Sequence, residues 1–164
     1  MSARARAARA PRFAARWCAC LAMLALCACA GTAHWPKVDL TESGWRVWTG
    51  QALWTPAGDR PPIAGEVILA RRAGDEIFVS FSKPPLPIFT ARTLAGQWRI
   101  DMLEGGQSHS GRGEPPQRFV WLDLPGLLEG GIPRGNWTIV ESAAEEWSIR
   151  NPETGEAIRL VLDL

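Results

Sequence analysis

The 164 residues carry 18 basic against 17 acidic side chains, nine Trp with no Tyr, four Cys and two His, enough chain for one domain and not two. Five arginines and no acid lie in the first 16 residues; from residue 29 onward 13 basic residues face 17 acidic ones, a net charge of −4. A mildly acidic domain without a basic block lacks the footprint of a nucleic-acid binder, and two His with no Cys beyond residue 29 exclude a zinc cluster.

Residues 1–28 read as a signal peptide. MSARARAARAPRFAAR is a basic leader, and WCACLAMLALCACA is uncharged and apolar. The apolar run is about half the ~20 residues that a spanning helix needs, and no second long one follows. Leu26-Cys27-Ala28-Cys29 resembles the lipobox of bacterial lipoproteins: an aliphatic residue at −3, a small one at −1, then the cysteine that takes the lipid. Cys27 follows Leu26, a poor residue at −1, and Cys20 lies inside the apolar run. Cys29 is therefore the expected lipidated N-terminus; an ordinary signal peptide cut near Ala30 is the competing reading. The resemblance implies an outer-membrane destination, because Ala30 is not the Asp retention signal. All four cysteines lie at or before Cys29, so no disulfide is expected in the mature domain. Residues 29–41 read as a lipidated tether and residues 42–164 as a single β domain.

Period-two alternation opens that domain. In GWRVWTGQALW, Gly44 to Trp54, it sets Trp45 and Val47 on one side and Arg46 and Trp48 on the other. A turn-rich break at 55–62 follows, then strands over Gly65–Arg72 and Glu76–Ser82, a hairpin turning at Gly74. Lys83-Pro84-Pro85-Leu86-Pro87 cannot sit in a central strand, because its three prolines remove ladder donors. Ile88–Thr93 and Gln97–Leu103 form the next hairpin, turning at Ala95-Gly96, and Glu104–Gln117 reads as a Gly-rich loop. Arg118–Glu129 contains Pro125, which argues against one continuous helix; a short helix or strand followed by a helical turn is expected, its apolar residues covering the open side of the sheet. Strands follow at Trp137–Glu141, Glu146–Arg150 and Ala157–Leu164; in the last, Ile158, Leu160, Leu162 and Leu164 face one way and Arg159, Val161 and Asp163 the other. The expected fold is mainly β: a curved antiparallel sheet, or open half-barrel, with short helices covering its concave side.

The chain offers little to catalysis. His109 and Ser108 lie in a Gly-rich segment, but no GxSxG elbow, P-loop or Rossmann signature is present. No cofactor and no enzymatic activity are expected. The acidic pairs Asp75-Glu76 and Glu145-Glu146 sit beside turns and read as solvated edges. The segment to single out is the proline-stiffened loop, whose Leu86, Ile88 and Phe89 are candidates for contact with a membrane or partner. A strand crossover with Leu86 and Phe89 packed inward is the alternative.

The strand order, the lipobox and Pro85-Leu86 between two hairpins resemble the LolA/LolB lipoprotein-carrier fold, and more so its LolB-like outer-membrane members. Trp45–Trp54 is similar to that family's first strand, Gly65–Ser82 to the hairpin leading to its protruding loop, Trp98–Gly111 to the next strand and loop, and Trp137–Glu141 with Trp147–Leu164 to its closing strands. The chain is shorter than typical members, with the deficit between Met102 and Asn136, where the family has its lid helices. The resemblance implies acyl-chain or lipoprotein cargo on a concave apolar face, a periplasmic LolA-like carrier as partner, and attachment to the membrane through the N-terminal lipid. Candidate lining residues are Trp45, Val47, Ile77, Val79, Phe81, Trp98, Trp121 and Leu160. A non-catalytic envelope scaffold, its barrel filled by its own tryptophans, is the other expectation.

Overall fold

Nine antiparallel strands form one unclosed, curved sheet: β1 Arg46–Thr55, β2 Ile63–Arg72, β3 Glu76–Lys83, β4 Leu86–Leu94, β5 Gln97–Met102, β6 Ser108–Arg112, β7 Thr138–Ser142, β8 Glu146–Arg150 and β9 Ala157–Asp163. The computed structural model describes residues 35–142 and 145–163, so the signal-peptide and Cys29 assignments lie outside the described residues, as does Leu164. Residues from Val38 onward form one compact unit.

Local chemistry fixes the turns. Gly74 (φ 82°) and Asp75 (φ 60°) turn β2 into β3, and Ala95 (φ 49°) with Gly96 (φ 69°) turns β4 into β5. Two successive positive φ values suit a tight hairpin, whose twist then matches that of the strands. Between β8 and β9, Asn151 Oδ1 accepts from the backbone N–H of Glu153 and Thr154 at 3.0 and 3.3 Å, a side-chain substitute for a backbone turn. The proline segment is a hairpin tip: β3 ends at Lys83, Pro84 and Pro85 make the turn, and Leu86 pairs back with Lys83. The expectation that this segment stays out of central strands is overturned for Lys83, Leu86 and Pro87, which belong to the interior strands β3 and β4; Pro87 is tolerated beside a register shift at Phe81/Ser82.

Spatial order runs β6-β5-β4-β3-β2-β1-β9-β8-β7. The first six strands form a meander, and the last three attach to the far side of β1. β9 pairs with β1 from Ala157 opposite Thr55 to Asp163 opposite Thr49. Gly50 lies in this pairing with no room for a side chain: a Cβ there would meet the carbonyl oxygen of Val161. The missing Cβ lets the two backbones close up where the two halves of the sheet join.

One segment therefore has to travel from the β6 edge to the β7 edge. Residues 113–137 form this strap and carry a 3-10 turn, Val120–Leu122, and one short helix, α1, Leu124–Leu128. Pro125 stands in the first turn of α1, where no hydrogen bond is lost, and the chain leaves the helix at Gly130 (φ 87°). The strap turns pack on β2, β3 and β4, with Val120, Trp121, Leu122, Leu124 and Leu127 buried in the same cluster as Leu69, Val79, Phe81 and Leu160. Each such side chain stabilises by about 1.5–3 kcal/mol on burial, so the strap is a structural part of the core.

Two further sequence expectations need correction. The Gly-rich segment Glu104–Gln117 contains an edge strand, β6, because Gly111 lies flat against the Trp98 indole, where a Cβ would come within 2.6 Å of the ring. In β1 the inner face is the opposite one: Val47 is 40 % exposed, while Trp48 and Ala52 are buried. Positions 48, 50, 52 and 54 read Trp, Gly, Ala, Trp, against Val, Thr, Gln, Leu at 47, 49, 51 and 53, so beyond Arg46 only the even-numbered face is free of polar side chains.

Candidate functional site

The strap and the sheet form an apolar cavity of about 120 Å³ that opens to solvent. Trp54 of β1, Phe89 and Ala91 of β4, and Ile100 and Met102 of β5 form the sheet side; Arg118, Phe119 and Trp121 of the strap form the roof, and Glu156 lies just before β9. These residues cluster at one end of the sheet because the register aligns Phe81 with Phe89 and Phe89 with Met102, and sets Trp54 opposite Ile158.

Aromatic contacts hold the roof. The Trp121 ring stacks on Phe81 with centroids 5.1 Å apart at 29°, and meets Phe89 edge-on at 4.9 Å and Trp54 edge-on at 6.0 Å. Such pairs add about 0.5–1.5 kcal/mol each beyond their buried area. The Trp121 Nε1–H is buried and has no acceptor among the described residues. A buried donor left unmatched costs about 1–3 kcal/mol.

The mouth is polar. Arg118 is exposed, lies 4.8 Å from the Phe119 ring centroid and makes no ion pair among the described residues. Trp54 Nε1–H donates to Glu156 Oε1 at 2.9 Å. Burial pushes the Glu156 carboxyl above its ordinary range, an effect opposed by the Trp54 hydrogen bond and the Arg60 charge.

The opposite end of the sheet holds a broader open groove of about 500 Å³, lined by Asp75, Thr93, Gln97, Glu114, Asp123 and Arg134 among others. Here the strap is pinned to itself: Arg134 Nε and Nη2 donate to Asp123 Oδ1 at 2.9 and 2.6 Å. Burial raises the Asp123 pKa, against the pull of Arg134. Glu129, just past α1, ties the strap to the sheet through Arg71 at 2.9 Å and Arg46 at 3.3 Å. Exposed pairs of this kind contribute less than the apolar roof.

The sequence matches no family model and no curated protein. Among the described residues no group of three or more His, Cys, Asp or Glu is placed to hold a metal, and no helix is long and apolar enough to cross a membrane.

Of the residues singled out from sequence, Val79, Phe81, Trp98, Trp121 and Leu160 are buried in one core, and Ile77 packs at its margin. Only Trp121 of that set lines the apolar cavity; Ile77 lines the polar groove instead. Trp45 precedes β1 and lies against the Arg72 guanidinium, 5.9 Å from its ring centroid, and Val47 faces outward, so neither lines a cavity. The proposed contact loop divides: Leu86 is 69 % exposed at the hairpin tip, but Ile88 is half-buried and Phe89 is core. The reason is that β4 begins at Leu86, so by Phe89 the chain is inside the sheet. His109 pairs with Ile100 across β5 and β6, its ring 5.9 Å from Phe119. Sequence reasoning missed Ala91, Ile100 and Met102 on the sheet side and Trp54, Phe119, Arg118 and Glu156 around them as lining residues. Trp54 shares the parity of Trp48 and was legible; Glu156 follows a turn and carries no periodic signal.

Proposed function

We propose that this chain is a lipid-anchored protein of the bacterial outer membrane that takes acyl chains, free or on lipoproteins, into the concave side of its half-barrel, as a LolB-like carrier does. The observation that carries the reading is an apolar cavity opening at the same sheet end as an exposed leucine on a proline-stiffened hairpin. Burial of acyl carbons is non-directional, stabilises by ~0.8 kcal/mol per CH₂, and requires no catalytic group. Cys29 would hold the protein at the membrane, and a periplasmic LolA-like carrier would deliver the cargo.

The cavity volume of about 120 Å³ lies below the ~300 Å³ at which ligand pockets usually begin. A whole acyl chain therefore requires the strap to lift, with Trp121 leaving Phe81 and Phe89. The close packing of those three rings favours a second reading, an envelope scaffold whose half-barrel is filled by its own side chains. Native mass spectrometry of the processed protein separates the two. Co-purifying lipid masses are expected for the carrier; protein that is ligand-free and takes up no fluorescent fatty acid would leave the scaffold.

A further inference from the structure

We propose that Trp121 sets the length of acyl chain that this half-barrel takes: with the strap closed the cavity holds the end of one chain, and a longer chain passes Trp121 into a slit beneath α1. This rests on the acyl-binding reading above and names its specificity-determining residue. The volume fixes the first part. An apolar cavity of ~150 Å³ admits a benzene-sized group, so about 120 Å³ takes about five carbons of one tail. The tail then meets packed rings. Trp121 is buried, stacks on Phe81 and meets Trp54 edge-on, so these indoles close the cavity on the side toward β9. In an interior packed at that density a further methylene enters only if a side chain moves.

Apolar surface continues beyond Trp121. A slit of about 10 Å³ lies under α1, between Leu124 and Leu127 of the helix, Ile149 of β8, and Ile158 and Leu160 of β9. Its walls extend those of the cavity. In the floor, Trp54 stands opposite Ile158 across β1 and β9, and Ile158 opposite Ile149 across β9 and β8. In the roof, Trp121 lines the cavity and Leu124, one turn further on, lines the slit. The closed slit is too narrow for a chain, since even one water needs ~10–15 Å³. Glu129 ties this part of the strap to Arg46 of β1 and Arg71 of β2, whereas side-chain packing holds α1 against β8 and β9. The slit therefore widens on its β8 side, where a chain end exchanges one apolar contact for another; the side chains around it, Trp147 apart, are aliphatic.

The test uses the full chain carrying Cys29→Ser, titrated calorimetrically with 1-alkanols from butanol to decanol, whose neutral head keeps the charges of Arg118 and Glu156 out of the comparison. Affinity should rise about fourfold per added carbon up to about five carbons, as burial of each CH₂ predicts. It should then level off, because the next carbons gain only what displacing Trp121 costs. Trp121→Ala should remove that break, so that decanol binds about tenfold tighter or more, the worth of two further buried carbons. In that variant the decanol methyl should show nuclear Overhauser contacts to Leu124 and Leu127. Trp121→Leu carries the same comparison if Trp121→Ala does not fold. An unbroken rise without the Trp121 substitution, a break at the same length with it, or a decanol methyl that contacts neither leucine would overturn the proposal and leave the acyl reading standing. If no alkanol binds, yet lipid co-purifies with the processed protein, the proposal alone fails; if neither is seen, both fail.

Discussion

Leu160 is 2 % exposed, while Arg159 beside it in β9 points outward and pairs with Glu146 across to β8. Leu160→Ala should cost about 2–5 kcal/mol through lost burial and the void left behind. Arg159→Gln should cost no more than about 1 kcal/mol, the range of an exposed ion pair. Chemical denaturation of the two variants measures the difference; similar losses would mean that both faces of β9 are covered. Glu156 titrates in the opposite sense to most structural carboxylates. Its pKa is raised in the fold, so its contribution to stability is complete below the ordinary glutamate range and is lost as pH rises through the folded-state pKa. Glu156→Gln keeps an acceptor for Trp54 Nε1 and removes the charge. It should be neutral or stabilising at pH 7 and should flatten that part of the stability profile; a variant less stable than wild type at pH 7 and equal to it in acid would contradict the assignment. Burial of Leu160 was legible because the alternation in β9 is strict. That of Trp48 over Val47 needed the whole of β1, because its first residues put an arginine on the inner face, where Arg46 reaches out over the Trp48 ring to Glu129.

Hairpins are the elements that the sequence signals best, since a short turn with glycine between two alternating runs leaves few other solutions. The β2–β3 and β4–β5 turns fall where Gly74 and Gly96 mark them. The edge strand β6 and the strap were harder to read. The pairing of β6 depends on a glycine lying under the tryptophan of another strand, and the strap is held by tertiary burial, with only one turn of α-helix of its own. The β3–β4 tip is where the carrier reading meets an element. Leu86 is 69 % exposed, so Leu86→Glu should change stability by no more than about 0.5 kcal/mol. A carboxylate there resists entry into an acyl layer, so transfer of bound acyl cargo into liposomes should fall sharply while uptake in solution persists. A folded Leu86→Glu variant with full transfer would remove the tip from the mechanism.

At the level of the molecule, the proposed anchoring through Cys29 predicts that attachment and folding separate. Cys29→Ser should leave the domain folded but release it from membranes or leave it unprocessed; a processed variant still fractionating with the outer membrane would refute the lipobox assignment. The half-barrel was legible as a class from the run of alternating strands. The seam where β9 joins β1 was not, because no local signal couples residues more than 100 apart, as Thr49 and Asp163 are. That seam has a kinetic consequence. Asp163 lies opposite Thr49, three residues into β1, so a short linker would join the end of β9 to the start of β1. Opening the strap between Gly130 and Gly131 in the same chain would give a circular permutant reading β7-β8-β9-β1-β2-β3-β4-β5-β6, in which every strand pairs with its neighbours in sequence. The distant closure of β1 on β9 becomes a local hairpin, and contact order falls. The permutant should refold faster than the natural order in stopped-flow fluorescence, with β9–β1 pairing no longer waiting on a loop of about a hundred residues. An unchanged or slower rate would show that the strap, now cut, rather than the seam, sets the pace at which this sheet assembles.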